Sequence, residues 1–434
     1  MSKPNIVICL GDDHSWHDIG CYGSKDAKTP NIDRIARKGM RFTHAFTATA
    51  MCAPTRSQLY TGLYPVRNGA YPNHSFVYPN VKSIPHYFAD LGYRTALAGK
   101  THIGPRESFP FEYLPGDVKS IEKWINDVGQ NPFFLIFASN NPHAPHPKRP
   151  EGSPFDPEKI WLPPYLVDTP ETRELYADYL YHITLLDHEI GSILDVIEKR
   201  GHEDNTLFIY TSEQGSGFPF SKWTCYDAGL HVAFVARWPG VIKSGSVTHA
   251  MIQYVDVVPT LIEAAGGIPP KELDGRSFLK VLKGEKDEHN NVAYGVHTTR
   301  GIINGTYCYP IRSIRTCTHK LILNLNYKAT FTCIITRETP DGYGRMWASW
   351  LKKAERDPEA EKRVRMFQHR PPIEFYNLTS DQWEINNTAS LPENDELIKS
   401  LRKRLEDWMK KQGDLGIETE MRAFERQGKR PNML

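Results

Sequence analysis

The densest chemistry in the chain lies in residues 51–62, where Cys52, Pro54 and Arg56 stand at alternate positions and Thr61-Gly62 closes the segment. A solitary cysteine is in most settings a small buried hydrophobe. Its neighbours here point elsewhere. Pro54 suits the first turn of a helix, where a missing N–H costs nothing. Arg56 falls one turn further on, close enough to return toward Cys52 or toward an anion held there. Free N–H groups and the dipole at a helix start favour an anion. The segment predicts an anion site with a reactive atom at its mouth.

Other reactive side chains follow apolar runs. Gly11, Asp12 and Asp13 follow the apolar run at 5–10. Adjacent carboxylates in such a place are costly unless solvated or bound to a cation, and an exposed Gly-Asp turn is the competing reading. Lys100 and His102, two apart, follow a run at 93–98. His143 follows 132–139, and Glu213-Gln214 follow 207–211. Each alone reads as a solvated turn. Together they place several site motifs after predicted strands, where ligands gather in open α/β sheets.

Cys-x-Pro-x-Arg followed by Thr-Gly resembles the signature of the formylglycine-dependent sulfatases. The resemblance implies that Cys52 is oxidised to an aldehyde, formylglycine, whose hydrate is the nucleophile. It implies Ca²⁺ ligands at Asp12, Asp13, Glu213 and Gln214. The family usually has Asp, then Asn or His, at the last two positions. Glu213 and Gln214 are each longer, yet both remain hard oxygen donors suited to Ca²⁺. Lys100 and Lys222 are implied to hold sulfate oxygens, and Arg56 to anchor residue 52. His143 is then the acid for the leaving group, and His102 the base that frees sulfate. Residues 99–111 (Gly-Lys-Thr-His-Ile-Gly-Pro…Phe-Pro-Phe), 309–313 and 324–327 narrow the resemblance to the sulfamidase branch, the heparan N-sulfatases.

That resemblance implies an α/β fold of alkaline-phosphatase type: a large mixed, mostly parallel sheet flanked by helices, with a smaller C-terminal antiparallel-sheet subdomain. The chain's own pattern agrees. Residues 5–10, 132–139 and 207–211 are short β-branched or aromatic runs, read as buried parallel strands. Thr169-Pro170 starts a long helix through about Lys199, whose apolar face is core; Asp187 and His188 on it are read as incidental to chemistry. From about residue 311 the texture shifts to a hairpin (311–316, 319–326), a charged helix at 345–366, a short strand at 375–378 and a terminal helix at 393–411. The expected division is a catalytic domain at 1–305 and an α+β subdomain at 306–434. His146, in the Pro-rich loop region, is read as a solvent-facing side chain.

The chain has 434 residues and a net charge of +2, with basic residues scattered. No strong field argues for nucleic acid or membrane as partner, and no apolar stretch approaches the ~20 residues of a membrane span. Seven cysteines without a tight pattern give no disulfide framework. The first residues lack a signal-peptide pattern, so either a leader was cut or the protein stays inside; the resemblance implies a periplasmic or extracellular setting. The partners implied are a sulfated oligosaccharide or polysaccharide and a formylglycine-generating or sulfatase-maturating enzyme. His297, with Arg300 or Arg312, is expected to line the sugar pocket, since an Arg fork suits a uronic acid carboxylate. The rival readings are a phosphonate or phosphodiester hydrolase, and a non-catalytic binder of sulfated glycans that keeps Cys52 as a thiol.

Overall fold

The computed structural model describes residues 3–427; the expected domain ranges run beyond these at both ends. Among the described residues, thirteen strands form two sheets. The large one is built from β1 (Asn5–Gly11), β2 (Met40–Phe46), β3 (Arg94–Gly99), β4 (Glu112–Leu114), β5 (Phe133–Ala138), β6 (Thr206–Ser212), β7 (His231–Arg237), β8 (Ser246–Thr248) and β9 (Ile252–Gln253). Its order is β4-β3-β5-β1-β6-β7-β2-β8, with β9 also paired to β2. The pairings from β4 to β6 are parallel, and β7 runs antiparallel to both β6 and β2.

Burial on both faces explains why these strands read as continuous apolar runs. In β1, Ile6, Ile8 and Leu10 face one hydrophobic core while Val7 and Cys9 face another, as a period of two requires. The long helix Pro170–Lys199 covers the second face through Leu186, Ile190, Ile193 and Ile197. Its start agrees with the sequence: the Thr169 side chain accepts from Thr172 N, and Pro170 sits at the first helical position. Asp187 accepts hydrogen bonds from the backbone N–H groups of Asn31 and Ile32 at 2.9–3.1 Å. It thereby satisfies free donors at the start of helix Pro30–Arg37, a structural role.

The second sheet is antiparallel: β10 (Ala293–His297), β11 (Ile311–Arg315), β12 (His319–Asn324) and β13 (Ile373–Asn377), in that order. Its first strand comes from residues that the sequence pattern assigned to the catalytic part. The charged stretch at 345–366 is two helices, Gly342–Ala354 and Pro358–Gln368. The break is chemical: Asp357 caps the second helix through the N–H groups of Glu359 and Ala360, and Pro358 opens it. Helix Asp395–Gln412 lays Ile398, Leu401, Leu405 and Trp408 on one face of this sheet. Among the described residues no helix is long and apolar enough to cross a membrane.

Candidate active site

The site is built at the C-terminal ends of the central parallel strands. Gly11 of β1 pairs with Ser212 of β6, so the next residues, Asp12 and Glu213, leave adjacent strands side by side. Gly11 is required there: a Cβ would meet the Tyr210 hydroxyl at 2.8 Å. Asp13 then turns in the left-handed region, φ 62°, a conformation that aspartate tolerates. Lys100 follows β3, and its N–H is tied to Ala138 O of β5 at 2.8 Å. His143 lies on the loop after β5.

Cys52 is the first residue of the helix Cys52–Thr61, all ten residues of which are buried. Such a helix needs polar anchors rather than an amphipathic face. Gln58 Oε1 accepts from Ala48 N at 2.9 Å, Thr55 Oγ1 donates to Thr49 O at 2.5 Å, and Gly62 ends the helix at φ 71°.

Three carboxylates and three cations converge on Cys52. Lys222 Nζ contacts both Asp13 oxygens at 2.8 Å, and Lys100 Nζ pairs with Asp12. Arg56 Nε donates to Glu213 at 2.6 Å, and its Nη1 to the Lys100 carbonyl at 3.1 Å. Arg56 therefore holds Glu213, and its buried Nη2 is left without a hydrogen-bond partner. Burial and the neighbouring Glu213 push the Asp12 carboxyl well above its usual range. Burial resists ionisation of Glu213 too, but Arg56 and Lys100 outweigh it and hold that carboxyl well below its usual range.

The donor set fits a hard divalent cation. Ligand atoms of Asp12, Asp13, Cys52 and Glu213 lie within 4.8 Å of one another. Gln214 Nε2 donates to Asp13 at 2.7 Å and to Glu213 at 3.1 Å, while its buried Oε1 has no partner. Turning the amide over would aim that orphaned oxygen at the carboxylates, an arrangement only a cation at their centre favours. The longer arms of Glu213 and Gln214 thus still bring both side chains to the cluster.

Cys52, Lys100, His102, His143 and Lys222 all line one cleft of about 1100 Å³. His143 donates from Nδ1 to Ala144 O at 2.6 Å and has Nε2 3.7 Å from Asp13. Lys222 opposes its protonation, but Asp13 and Cys52 prevail, and its pKa rises to about 9. His102 goes the other way: burial, then Lys100 and Arg56, lower it to about 3. It is a neutral imidazole, hydrogen-bonded through Nε2 to His74 Nδ1 at 2.8 Å, with Nδ1 unpartnered.

The expected sugar-pocket residues lie elsewhere. His297 is wholly buried in β10. Arg312 is buried in a two-pronged ion pair with Asp414 and donates to His297 O at 2.9 Å. Arg300 is sandwiched between the rings of Tyr307 and Phe424, 3.9 and 3.7 Å from their centroids. None of the three lines the cleft; all three hold the antiparallel sheet and its following segments together. Gly301 and Ile302, next to Arg300 in sequence, line it instead. His146 also departs from expectation. It bonds His182 at 3.2 Å and the Tyr343 hydroxyl at 3.0 Å and lines the cleft. His74, Tyr343, Arg337 and Arg345 line it as well, with no motif in the sequence to mark them.

A large mixed, mostly parallel sheet with a separate antiparallel sheet, and buried carboxylates and cations gathered at its strand ends, is the architecture of the alkaline-phosphatase-like fold. Residues 4–116 and 118–268 match the sulfatase family profile, and residues 215–349 match the C-terminal region of N-sulphoglucosamine sulphohydrolase. The chain is 36% identical to an ulvan-active sulfatase of Formosa agariphila, over 95% of this chain and 81% of that one. It is 26% identical to human N-sulphoglucosamine sulphohydrolase, over 93% and 89%. A solved structure in complex with its substrate, D-glucosamine-2-N,6-O-disulfate, superposes with a TM-score of 0.72 at 21% identity, covering 95% and 99%; that likeness shows the fold. The chain belongs to the sulfatase family, on the sulfamidase side of it, and is a sulfuric ester hydrolase.

Proposed function

We propose that the protein hydrolyses sulfate esters or sulfamates of a sulfated carbohydrate, with residue 52 converted from cysteine to formylglycine and Ca²⁺ held by Asp12, Asp13, Glu213 and Gln214. The observation that carries this is the charge pattern around Cys52. Three buried carboxylates already balance three buried cations, yet Gln214 Oε1 and Arg56 Nη2 stay unpartnered. A divalent cation added there, with protonated His143 beside Asp13, gives an excess of positive charge, which suits a sulfate monoester and an ionised hydroxyl on residue 52.

An ion held by Asp12, Asp13, Glu213 and Gln214 would supply Lewis acidity to the sulfuryl group, and the aldehyde hydrate of residue 52 would supply the attacking oxygen. Lys100 and Lys222 offset charge on the sulfuryl oxygens from fixed positions, so little reorganisation is needed during reaction. His143, its Nδ1 held by Ala144 O, presents Nε2 to donate a proton to the leaving oxygen or nitrogen. His102, kept neutral, accepts a proton at Nδ1. Arg56 fixes Glu213.

Cys52 is 3% exposed, and its whole helix is buried. A formylglycine-generating or sulfatase-maturating enzyme must therefore meet residues 51–62 before the chain folds. The relatives that act on ulvan or on N-sulphoglucosamine support a sulfated glycan as substrate.

The test is kinetic. With matched aryl leaving groups, kcat/KM for the sulfate should exceed that for the phosphate and the phosphonate at least tenfold. A preference for the phosphonate would replace this reading with the phosphonate hydrolase one.

A further inference from the structure

Resting on the sulfatase reading, we infer that Arg337 and Arg345 form a second anion subsite in the reaction cleft, which selects glycans bearing a carboxylate or second sulfate beside the group being hydrolysed. Five Lys and Arg side chains line the cleft. Three already have carboxylate partners: Lys100 with Asp12, Lys222 with Asp13, and Lys148 with Asp178 at 2.7 Å. Arg337 and Arg345 are exposed, and neither has an ion pair or side-chain hydrogen bond among the described residues.

The fold holds both arginines in place without neutralising them. Arg337 closes the short turn Ile334–Thr336, which Asn304 Nδ2 ties down through Cys333 O at 3.2 Å. Its backbone folds back against Gly344, where a Cβ would stand 2.4 Å from Arg337 O. Arg345 sits in the first turn of helix Gly342–Ala354. A cation there works against the helix dipole, so helix stability does not explain it. Tyr343 between them is anchored to His146, and Gly217 leaves room for its hydroxyl, which a Cβ would meet at 2.5 Å.

One unpaired carboxylate, Asp341, lines the same wall. The two guanidinium groups outnumber it. Planar guanidinium forks match carboxylate and sulfate oxygens two at a time. Ile302, Ile334 and Tyr343 give the wall an apolar portion on which a sugar ring can lie.

The experiment compares three monosulfated or disulfated disaccharides of one backbone: a neutral one, one with a uronic acid carboxylate, and one with a second sulfate. For wild-type enzyme, kcat/KM on at least one anionic form should exceed that on the neutral form by tenfold or more. Raising ionic strength should shrink that ratio. In R337A/R345A the ratio should fall to about one, and in R337K/R345K to an intermediate value. Whichever anionic disaccharide shows the ratio identifies the group recognised. A wild-type ratio near one, or one that persists in R337A/R345A, overturns the subsite. Failure of wild-type enzyme to release sulfate from any disaccharide or from an aryl sulfate overturns the sulfatase reading beneath it.

Discussion

Two buried charge clusters lie within the chain, and they differ in what they leave open. At the junction of the two sheets, Arg315 Nε and Lys320 Nζ bind Asp227 at 2.7 and 2.6 Å, and Lys320 also lies 3.1 Å from Glu384. The Asp227 N–H closes the group by donating to Glu384. Its two cations answer its two carboxylates. That group also lines a cavity, of about 260 Å³, and leaves Glu384 Oε1 without a hydrogen bond. The cluster around Cys52 differs in facing a much wider cleft, of about 1100 Å³, and in surrounding a nucleophilic side chain. Charge density, even with an unanswered polar atom beside a small cavity, therefore does not mark a site; a nucleophile held within the cluster at the mouth of a cleft wide enough for a sugar does. Breaking the junction should cost folding, and breaking the other cluster should cost turnover.

The largest effect is expected from Asp13→Ala. It removes one proposed metal ligand and strands Lys222. Sulfate release should fall at least about a thousandfold, comparable to the loss of a preorganised charge-stabilising group, and bound calcium measured by atomic emission should fall with it. Wild-type calcium content in that variant would break the metal assignment.

Asp227→Ala should do the reverse. Buried Arg315 and Lys320 lose their shared partner, and removing one member of a buried pair costs about 3–5 kcal/mol. Urea unfolding should show that loss, while turnover per folded molecule stays within a few-fold of wild type. A thousandfold drop in turnover with unchanged stability would erase the distinction between the clusters.

How legible each cluster was follows from where its residues sit. Asp12, Asp13, Cys52, Lys100, His143 and Glu213 each follow a strand or open a helix, where the apolar pattern stops abruptly, and a specific motif surrounds Cys52. The strands were readable because burial on both faces leaves unbroken apolar runs. The junction cluster and the pairs Arg312–Asp414 and His146–Tyr343 join residues 64 to 197 positions apart, and no local pattern marks which side chains meet. Nothing local distinguishes Arg312, buried against Asp414, from Arg337, exposed in the cleft. Only packing decides between them, and it places His297, Arg300 and Arg312 outside the cleft.

A smaller effect concerns acid. His231, stacked on Trp16 at 4.5 Å, is buried beside the junction. Burial lowers its pKa to about 3, with Asp227 opposing and Arg315 adding to the shift. Above about pH 6.5 it is neutral in folded and unfolded chains alike. As pH falls below that, the unfolded chain takes up a proton that the folded one refuses, so stability drains away between about 6.5 and 3. At pH 5 the loss from this one residue is about 2 kcal/mol. His231→Phe should therefore show a smaller drop in unfolding free energy between pH 8 and pH 5 than wild type. An equal drop would remove His231 from the acid response.

The central claim, that residue 52 acts only after conversion, is tested most directly by the mass of the peptide spanning residues 51–62 in preparations of graded activity. Conversion of the thiol to an aldehyde lowers that mass by about 18 Da. Sulfate released per mole of chain should rise in proportion to the fraction of lighter peptide and extrapolate to zero where none is present. Full turnover from a preparation in which Cys52 is wholly unconverted would contradict the account.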